Sequence, residues 1–501
     1  MCGIAAQFGS SDPALGERML DRLAHRGPDD QGSAEIGGSW LGHRRLSIVD
    51  VEGGHQPLSG DRLMLAGNGE VYNHEDVRDA LAARTFSTKS DNEVALHLLE
   101  EEDPDALCAL EGMFAFVAAG EGGYFVAARD PVGIKPLYWA RRGTDVQFAS
   151  EMRAFDPEWL PAVRPFPPGY HWTPLRGLVR FNRAAPLAVP EPVSDPLADP
   201  PEEVAAQVRE ELIGSVGRQM MGDVPVGVFL SGGLDSSLVA AIAARRLPDG
   251  ERLPTFAVGT EGSPDLEAAR EVARILGTDH HERIYDAEEA IGALPEVVRT
   301  IESFDPSLVR SAVPNYLLAE MTAEHVKVVL TGEGADELFA GYEYLRELDP
   351  EPLQAELVRT VEGLHNLNLQ RCDRVTMAHG LEARVPFLDT QVINFALSLP
   401  AEWKLSGPGR PEKLLLRRAF EGWLPEEFLW REKSQFGDGS GAADVLQHHF
   451  ADSVSEAELA GERSEAEPPV RTREELAYWR FFKEALQGVR TEETVGRFAT
   501  A

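Results

Sequence analysis

The chain reads as two successive domains: an N-terminal α+β domain of layered β structure over residues 1–185, then an α/β parallel-sheet domain with a helical C-terminal part over residues 202–501. Three observations predict this. Short β-type runs separated by glycine-rich turns fill the first part, a proline-rich connector follows, and beyond it strand-type and helix-type segments alternate. Length agrees, because 501 residues exceed what one core ordinarily organises.

In the first part the β runs are residues 40–49, 63–66, 113–119 and 124–128. The connector PLAVPEPVSDPLADPP (186–201) is too rich in proline for regular helix and reads as extended chain. Residues 202–221 then carry apolar side chains at helical spacing, and VPVGVFL (224–230) is a short buried-strand run that ends in a glycine-rich turn. A helix over 236–246, a strand over 254–260 and a helix whose apolar face is Leu266, Ala269, Val272, Ala273 and Leu276, closed by Gly277, continue the alternation. VKVVLTG (326–332) is the next buried strand. After about residue 349 the pattern is mostly helical, without repeats or low-complexity tracts. Alternating strands and helices imply a parallel sheet covered on both faces.

The balance of 83 acidic against 48 basic residues gives a formal charge of -35, which argues against a nucleic-acid or anionic-membrane partner. No apolar run of membrane-spanning length and no secretory leader pattern is seen, so a cytoplasmic protein is expected. Cys2, Cys108 and Cys372 are too few and too scattered for a disulfide framework or a thiolate zinc site. Cys108 and Cys372 are expected in cores. Cys2 stands apart: once an initiator Met is removed it carries thiol and free amine on one residue, and the amine, with a reference pKa of about 8, can take the thiol proton.

Further segments have residue types that amide hydrolysis of an amino acid needs. HRGPDD (25–30) and HRRLSIVD (43–50) offer guanidinium groups, which bind an α-carboxylate in a bidentate way. NGEVYNH (68–74) sets a turn glycine beside an amide, two N–H donors suited to an oxyanion. SDNE (90–93) supplies carboxylates for an ammonium. With MCGIAA at the start, these motifs in this order resemble the class II glutamine amidotransferase domain, of four-layer type. The resemblance implies Cys2 as nucleophile and Asn68 with Gly69 as oxyanion hole. It also implies that Arg45, the backbone of Leu46, Ser47, Ile48 and Val49, and Asn68, Gly69, Glu70 and Asp91 hold glutamine. GMFAF (112–116) and ARDPVGIKPLY (128–138) fit the same family and read mainly as core strands and a turn.

SGGLDSS (231–237) follows a buried strand and opens a helix, the context of a phosphate-binding turn. Asp235 inside it would repel phosphate unless a cation intervenes, and so reads as a Mg²⁺ ligand. The string lacks the Walker pattern and resembles the pyrophosphate loop of ATP pyrophosphatases, implying nucleotide contacts from Ser231, Gly232, Gly233, Asp235 and Ser236. TGEGADELFAGY (331–342) follows the next strand, at the sheet edge where ligands of open α/β sheets collect. It matches the asparagine synthetase family, as do WREKSQFGDG (430–439), FAVG (256–259), GSPD (262–265), IESFD (301–305) and GLEARVPFLD (380–389). By this resemblance Asp336 is a second Mg²⁺ ligand, Glu333 is catalytic near the acceptor, and Lys433 stabilises the transferring phosphoryl group. Phe229, Leu230, Val258, Thr331 and Gly332 complete the ATP site. Glu337 reads as a helix-start carboxylate, and Arg384 with Glu382 either as a buried ion pair or as substrate ligands.

The implied enzyme hydrolyses glutamine to ammonia and adenylates the aspartate side chain with Mg-ATP, releasing pyrophosphate. It then forms asparagine and AMP. Glutamine, aspartate and ATP are the expected partners, and a homodimer is the candidate assembly. A related ATP-dependent amidotransferase acting on a different carboxylate in secondary metabolism is the alternative. The acidic stretch 453–467 reads as a solvated segment.

Overall fold

The computed structural model describes residues 2–101, 103–187, 190–191, 193, 200–407, 410–431, 446, 449–450 and 453–498. Its N-terminal part holds two six-stranded antiparallel sheets. One runs, edge to edge, Val163–Pro165, Tyr138–Arg142, Asp145–Ala149, Gly3–Phe8, Ser39–Arg45, Asp30–Ile36. The other runs Gly177–Arg180, Tyr170–Thr173, Tyr124–Arg129, Gly112–Gly120, Leu63–Val71, Leu58–Ser59.

Strand alternation explains why these sheets stack into four layers. From Gly3–Phe8, Ile4 and Ala6 enter the inter-sheet core with Leu41, Phe125, Phe148 and Trp172, whereas Ala5 faces outward to Leu15, Met19 and Leu20 of the Pro13–Asp21 helix. The opposite sheet divides likewise, with Ala115, Val117 and Ala119 inward and Phe114, Phe116 and Ala118 outward against Val94 and Leu98 of Glu93–Glu101. The order is therefore helix, sheet, sheet, helix.

The second part is built on a five-stranded, wholly parallel sheet: Asp279–Ile284, Pro254–Gly259, Val226–Phe229, Val328–Leu330, Glu382–Arg384. Numbered along the chain, the strand order is 3-2-1-4-5, so the direction of winding reverses between Val226–Phe229 and Val328–Leu330. Ligands of doubly wound sheets sit beyond the carboxyl ends of the strands at that reversal. The expected helices are present as Glu202–Gln219, Leu234–Ala244 and Pro264–Leu276, the last ended by Gly277 with φ 69°, a left-handed cap that glycine adopts without a Cβ clash.

Three expectations change, and two segments fall outside the described residues. The region after residue 349 contains one strand, Glu382–Arg384, that was expected to be helical or loop. Cys372 is buried but Cys108 is exposed, on a surface turn at Pro104–Ala109. The acidic stretch is not merely solvated: Glu458 and Glu462 accept from Arg480, and Glu465 from Lys483, both on the Arg473–Ala485 helix. Most of the connector, including 194–199, and the segment 432–445 with Lys433 lie outside the described residues.

Lys404 gives the fold a pH signature. It is 1% exposed, its Nζ has no partner among the described residues, and burial pushes its pKa down to about 7. An unfolded lysine titrates near 10.4, so between about pH 7 and 10 the unfolded chain binds the extra proton and stability rises with pH, by up to about 1.4 kcal/mol per unit. Below pH 7 both states are charged and this contribution is flat. Lys404→Met should raise stability by about 2 kcal/mol at pH 7.5 and abolish the slope. Denaturant titrations at several pH values read both effects, and an unchanged slope refutes the assignment.

Candidate active site

Two sites emerge, one in each half. Cys2 opens the central strand Gly3–Phe8 and is 7% exposed. Its backbone N donates to Asn68 Oδ1 at 3.0 Å. Burial raises the thiol pKa, so the resting group is a thiol and needs a base beside it to become a nucleophile.

Asn68 and Gly69 lie on Leu63–Val71, across from Phe114 and Ala115. Asn68 is fully buried and its Nδ2 has no acceptor among the described residues. Gly69 has φ 130°, and a Cβ there would fall 1.9 Å from the Met113 carbonyl, so no other residue fits. Asp91 is buried, accepts from Val71 N at 2.6 Å and, by burial first, has a raised pKa. Glu70 is held well above the usual carboxylate range by burial and by Glu382, and its Oε2 has no partner among the described residues.

Arg45 donates to the carbonyls of Val49, Asp50 and Val51, at 3.2, 2.6 and 3.1 Å, and so curls the segment Leu46, Ser47, Ile48, Val49 beside the thiol. The second half clamps that segment: Asp223 N donates to Ile48 O at 2.9 Å, and Lys327 Nζ to Asp29 Oδ2, which itself holds Ser47 N. Arg384 and Glu382 form a buried ion pair with Nε to Oε1 at 2.6 Å, and Arg384 also faces Glu70 across the junction at 3.6 Å.

The second site is a cleft of about 870 Å³ at the sheet reversal. Phe229, Leu230, Ser231, Gly233, Asp235, Ser236, Val258, Thr331, Gly332, Glu333 and Asp336 all line it. Gly232 does not. With φ 70° it turns the loop, and a Cβ there would lie 2.5 Å from Ala268 Cβ and 2.6 Å from the Ala268 and Ala269 backbone, so glycine lets the loop pack closely on that helix. Within the turn, Ser236 Oγ receives Ser231 N at 3.2 Å and Gly233 N points to Ser231 Oγ at 3.4 Å. The loop is thus preformed at the N-terminus of an eleven-residue helix, where the backbone dipole favours an anion.

Glu333 is paired with Arg371 of the Asn368–Met377 helix, and its pKa is raised by burial against that pairing. Glu337 is no simple helix cap: it is 2% exposed, accepts from Tyr342 OH at 2.5 Å and Asn368 Nδ2 at 3.2 Å, and burial beside Asp336 pushes it up to about 7.

Sequence reasoning missed three residues here. Lys413 Nζ sits 2.6 Å from Asp235 Oδ2 and 2.6 Å from Asp336 Oδ1. Arg371 lines the cleft through its pair with Glu333. Arg310, also in the wall, is paired with Glu474 of the C-terminal Arg473–Ala485 helix. Nothing local in the sequence marked any of the three.

A buried thiol at the head of a layered double sheet, joined to a preformed anion turn at a parallel-sheet reversal, defines a glutamine amidotransferase coupled to a nucleotide-using α/β domain. The family models agree, with the glutamine amidotransferase domain matching residues 1–164 and asparagine synthase matching 207–359 and 348–492. The asparagine synthetase [glutamine-hydrolyzing] of Sandersonia aurantiaca is 40% identical over 486 residues, 91% of this chain and 90% of the relative. A probable asparagine synthetase [glutamine-hydrolyzing] of Dictyostelium discoideum is 38% identical over 99% of this chain and 96% of its own length, and number 3 of Arabidopsis thaliana 41% over 92% and 83%. The chain belongs to the glutamine-hydrolysing asparagine synthetase family. No helix among the described residues is long and apolar enough to cross a membrane.

Proposed function

We propose that this chain makes asparagine from aspartate, glutamine and ATP, in two connected sites. Cys2 attacks the glutamine amide, its thiol proton passing to its own amine. The side-chain N–H of Asn68 and the backbone N–H of Gly69 take the oxyanion, while Arg45, Glu70, Asp91 and the 46–49 backbone hold the amino acid ends. Ammonia leaves, and water releases glutamate from the thioester.

In the cleft the aspartate side-chain carboxylate attacks the α-phosphorus of ATP and expels pyrophosphate, which the Ser231 to Ser236 turn grips. Ammonia crosses from the first site and attacks the activated carbonyl, leaving AMP. Activation is needed because a free carboxylate is a poor electrophile, and a closed cleft protects the adenylate from water. Glu333 acts beside the acceptor, and Lys433 neutralises charge on the transferring phosphoryl group.

Asp235 and Asp336 fit a Mg²⁺ ion, because both already reach a single cation, the Lys413 ammonium, at 2.6 Å. That convergence of two carboxylates from two turns at the sheet reversal is the observation that carries the reading. When bound, the ion supplies positive charge to the leaving diphosphate.

Incubation with glutamine, aspartate and labelled Mg-ATP should give AMP, pyrophosphate and asparagine in equal amounts. ADP with orthophosphate would overturn the mechanism. Turnover of another acid in a carboxylate panel, with aspartate inert, would move the reading to the alternative acceptor and leave the chemistry standing.

A further inference from the structure

We infer that Lys413 is a built-in place-holder for the divalent cation, so that metal enters the cleft together with nucleotide and only weakly alone. The inference rests on the reading of Asp235 and Asp336 as metal ligands. Lys413 comes from the protein side: its side chain is 3% exposed, whereas each of the two aspartates is 22% exposed, open toward the cleft.

The local backbone is shaped for this contact. Lys413 itself has φ 56° and ψ 32°, the left-handed region that side chains with a Cβ avoid, immediately before the Leu414–Ala419 helix. Across from it, Gly341 follows Ala340, another left-handed residue at φ 54°. A Cβ on Gly341 would fall 1.8 Å from Asp336 Oδ1 and 2.3 Å from Lys413 Cε, so glycine makes the room in which the two groups meet. A left-handed lysine beside an obligate glycine is a costly arrangement for a mere surface ion pair.

Two carboxylates within reach of one atom repel each other unless a cation lies between them. In the nucleotide-free protein that cation is Lys413. A divalent ion arriving alone must evict a buried ammonium and leave it without an anion, which is strongly unfavourable. Arriving with nucleotide, it brings phosphates that can receive the ammonium. Metal and nucleotide binding are therefore coupled through one side chain, and the coupling is reciprocal.

Mn²⁺ serves as the probe, followed by electron paramagnetic resonance and by thermal melting on the full chain without nucleotide. The parent should bind Mn²⁺ weakly, and a non-hydrolysable ATP analogue should tighten it at least tenfold. Lys413→Met, uncharged and of similar length, should bind Mn²⁺ at least tenfold more tightly than the parent without nucleotide and gain melting temperature with it. Lys413→Arg, still cationic, should behave like the parent. Unchanged or weaker Mn²⁺ binding by Lys413→Met overturns the place-holder, as does absence of nucleotide synergy in the parent, a measurement that needs no variant. Adding Asp235→Asn to Lys413→Met separates the two readings: a tenfold gain that survives the loss of Asp235 rejects that residue as metal ligand, not the proposed reaction's products.

Discussion

Cys2→Ala abolishes glutamine-dependent synthesis, by at least three orders of magnitude, and leaves synthesis from ammonium ions near the parent rate. The reasoning is local. The thiol is the only atom of that side chain able to make the thioester, and burial keeps it protonated until its own amine acts on it, so no neighbouring hydroxyl or water inherits the role. The substitution removes one sulfur from a strand start packed on Leu23 and Arg26 around Gly3, a small cavity worth about 1 kcal/mol, and the fold persists. The cleft at the sheet reversal is lined by residues between 229 and 498 and shares no side chain with the thiol. Glutamate release and asparagine formation, measured with glutamine and then with ammonium chloride, separate the sites. Loss of both activities in a folded variant would refute the division of labour.

What could be read in the sequence was whatever chemistry is local. The apolar run 113–119 announced the strand Gly112–Gly120, and Gly277 announced a helix end because only the backbone conformation matters there. The glycine-rich turn after Val226–Phe229 was legible because strand, turn and helix follow one another along the chain. The strand Glu382–Arg384 was not: a buried ion pair could be read there, but its place in the sheet depends on Val328–Leu330 and its completion on Gln219 and Met221 carbonyls far away in sequence. The acidic run after residue 453 misled for the same reason, since the cations that pair with Glu462 and Glu465 lie 18 residues later on Arg473–Ala485. Cys108 was placed in a core on residue type alone, and the Pro104–Ala109 turn exposes it. Lys413 needed three separate segments to converge before it meant anything. Local pattern finds turns and faces, whereas buried charge is a property of the whole fold.

Asp373→Ala should cost about 3 to 5 kcal/mol and uncouple the two sites, and both effects trace to one buried network. Arg26, fully buried, donates to Asp373 at 2.9 and 3.2 Å, to Glu151 at 2.7 Å and, through Nε, to the carbonyl of Cys2 at 3.0 Å. Arg374, also fully buried, reaches Asp373 at 3.4 Å and Glu302 at 3.3 Å, while Glu302 holds Met152 N and Arg153 N. Deleting Asp373 leaves two desolvated guanidinium groups short of a carboxylate, the costly half of a broken buried pair. The Asn368–Met377 helix that bears Asp373 also bears Arg371, the partner of Glu333 in the cleft. One rigid helix thus touches the nucleophile's backbone through Arg26 and the synthetase cleft through Arg371. Movement of Arg371 on occupancy of the cleft would reach Cys2 along this helix, with Asp373 as the joint. With all substrates present the parent should release glutamate and asparagine in near-equal amounts, whereas Asp373→Ala should release severalfold more glutamate than asparagine. A variant that loses stability in denaturant titration yet keeps the ratio near one would show that the network holds the halves together without carrying information between them.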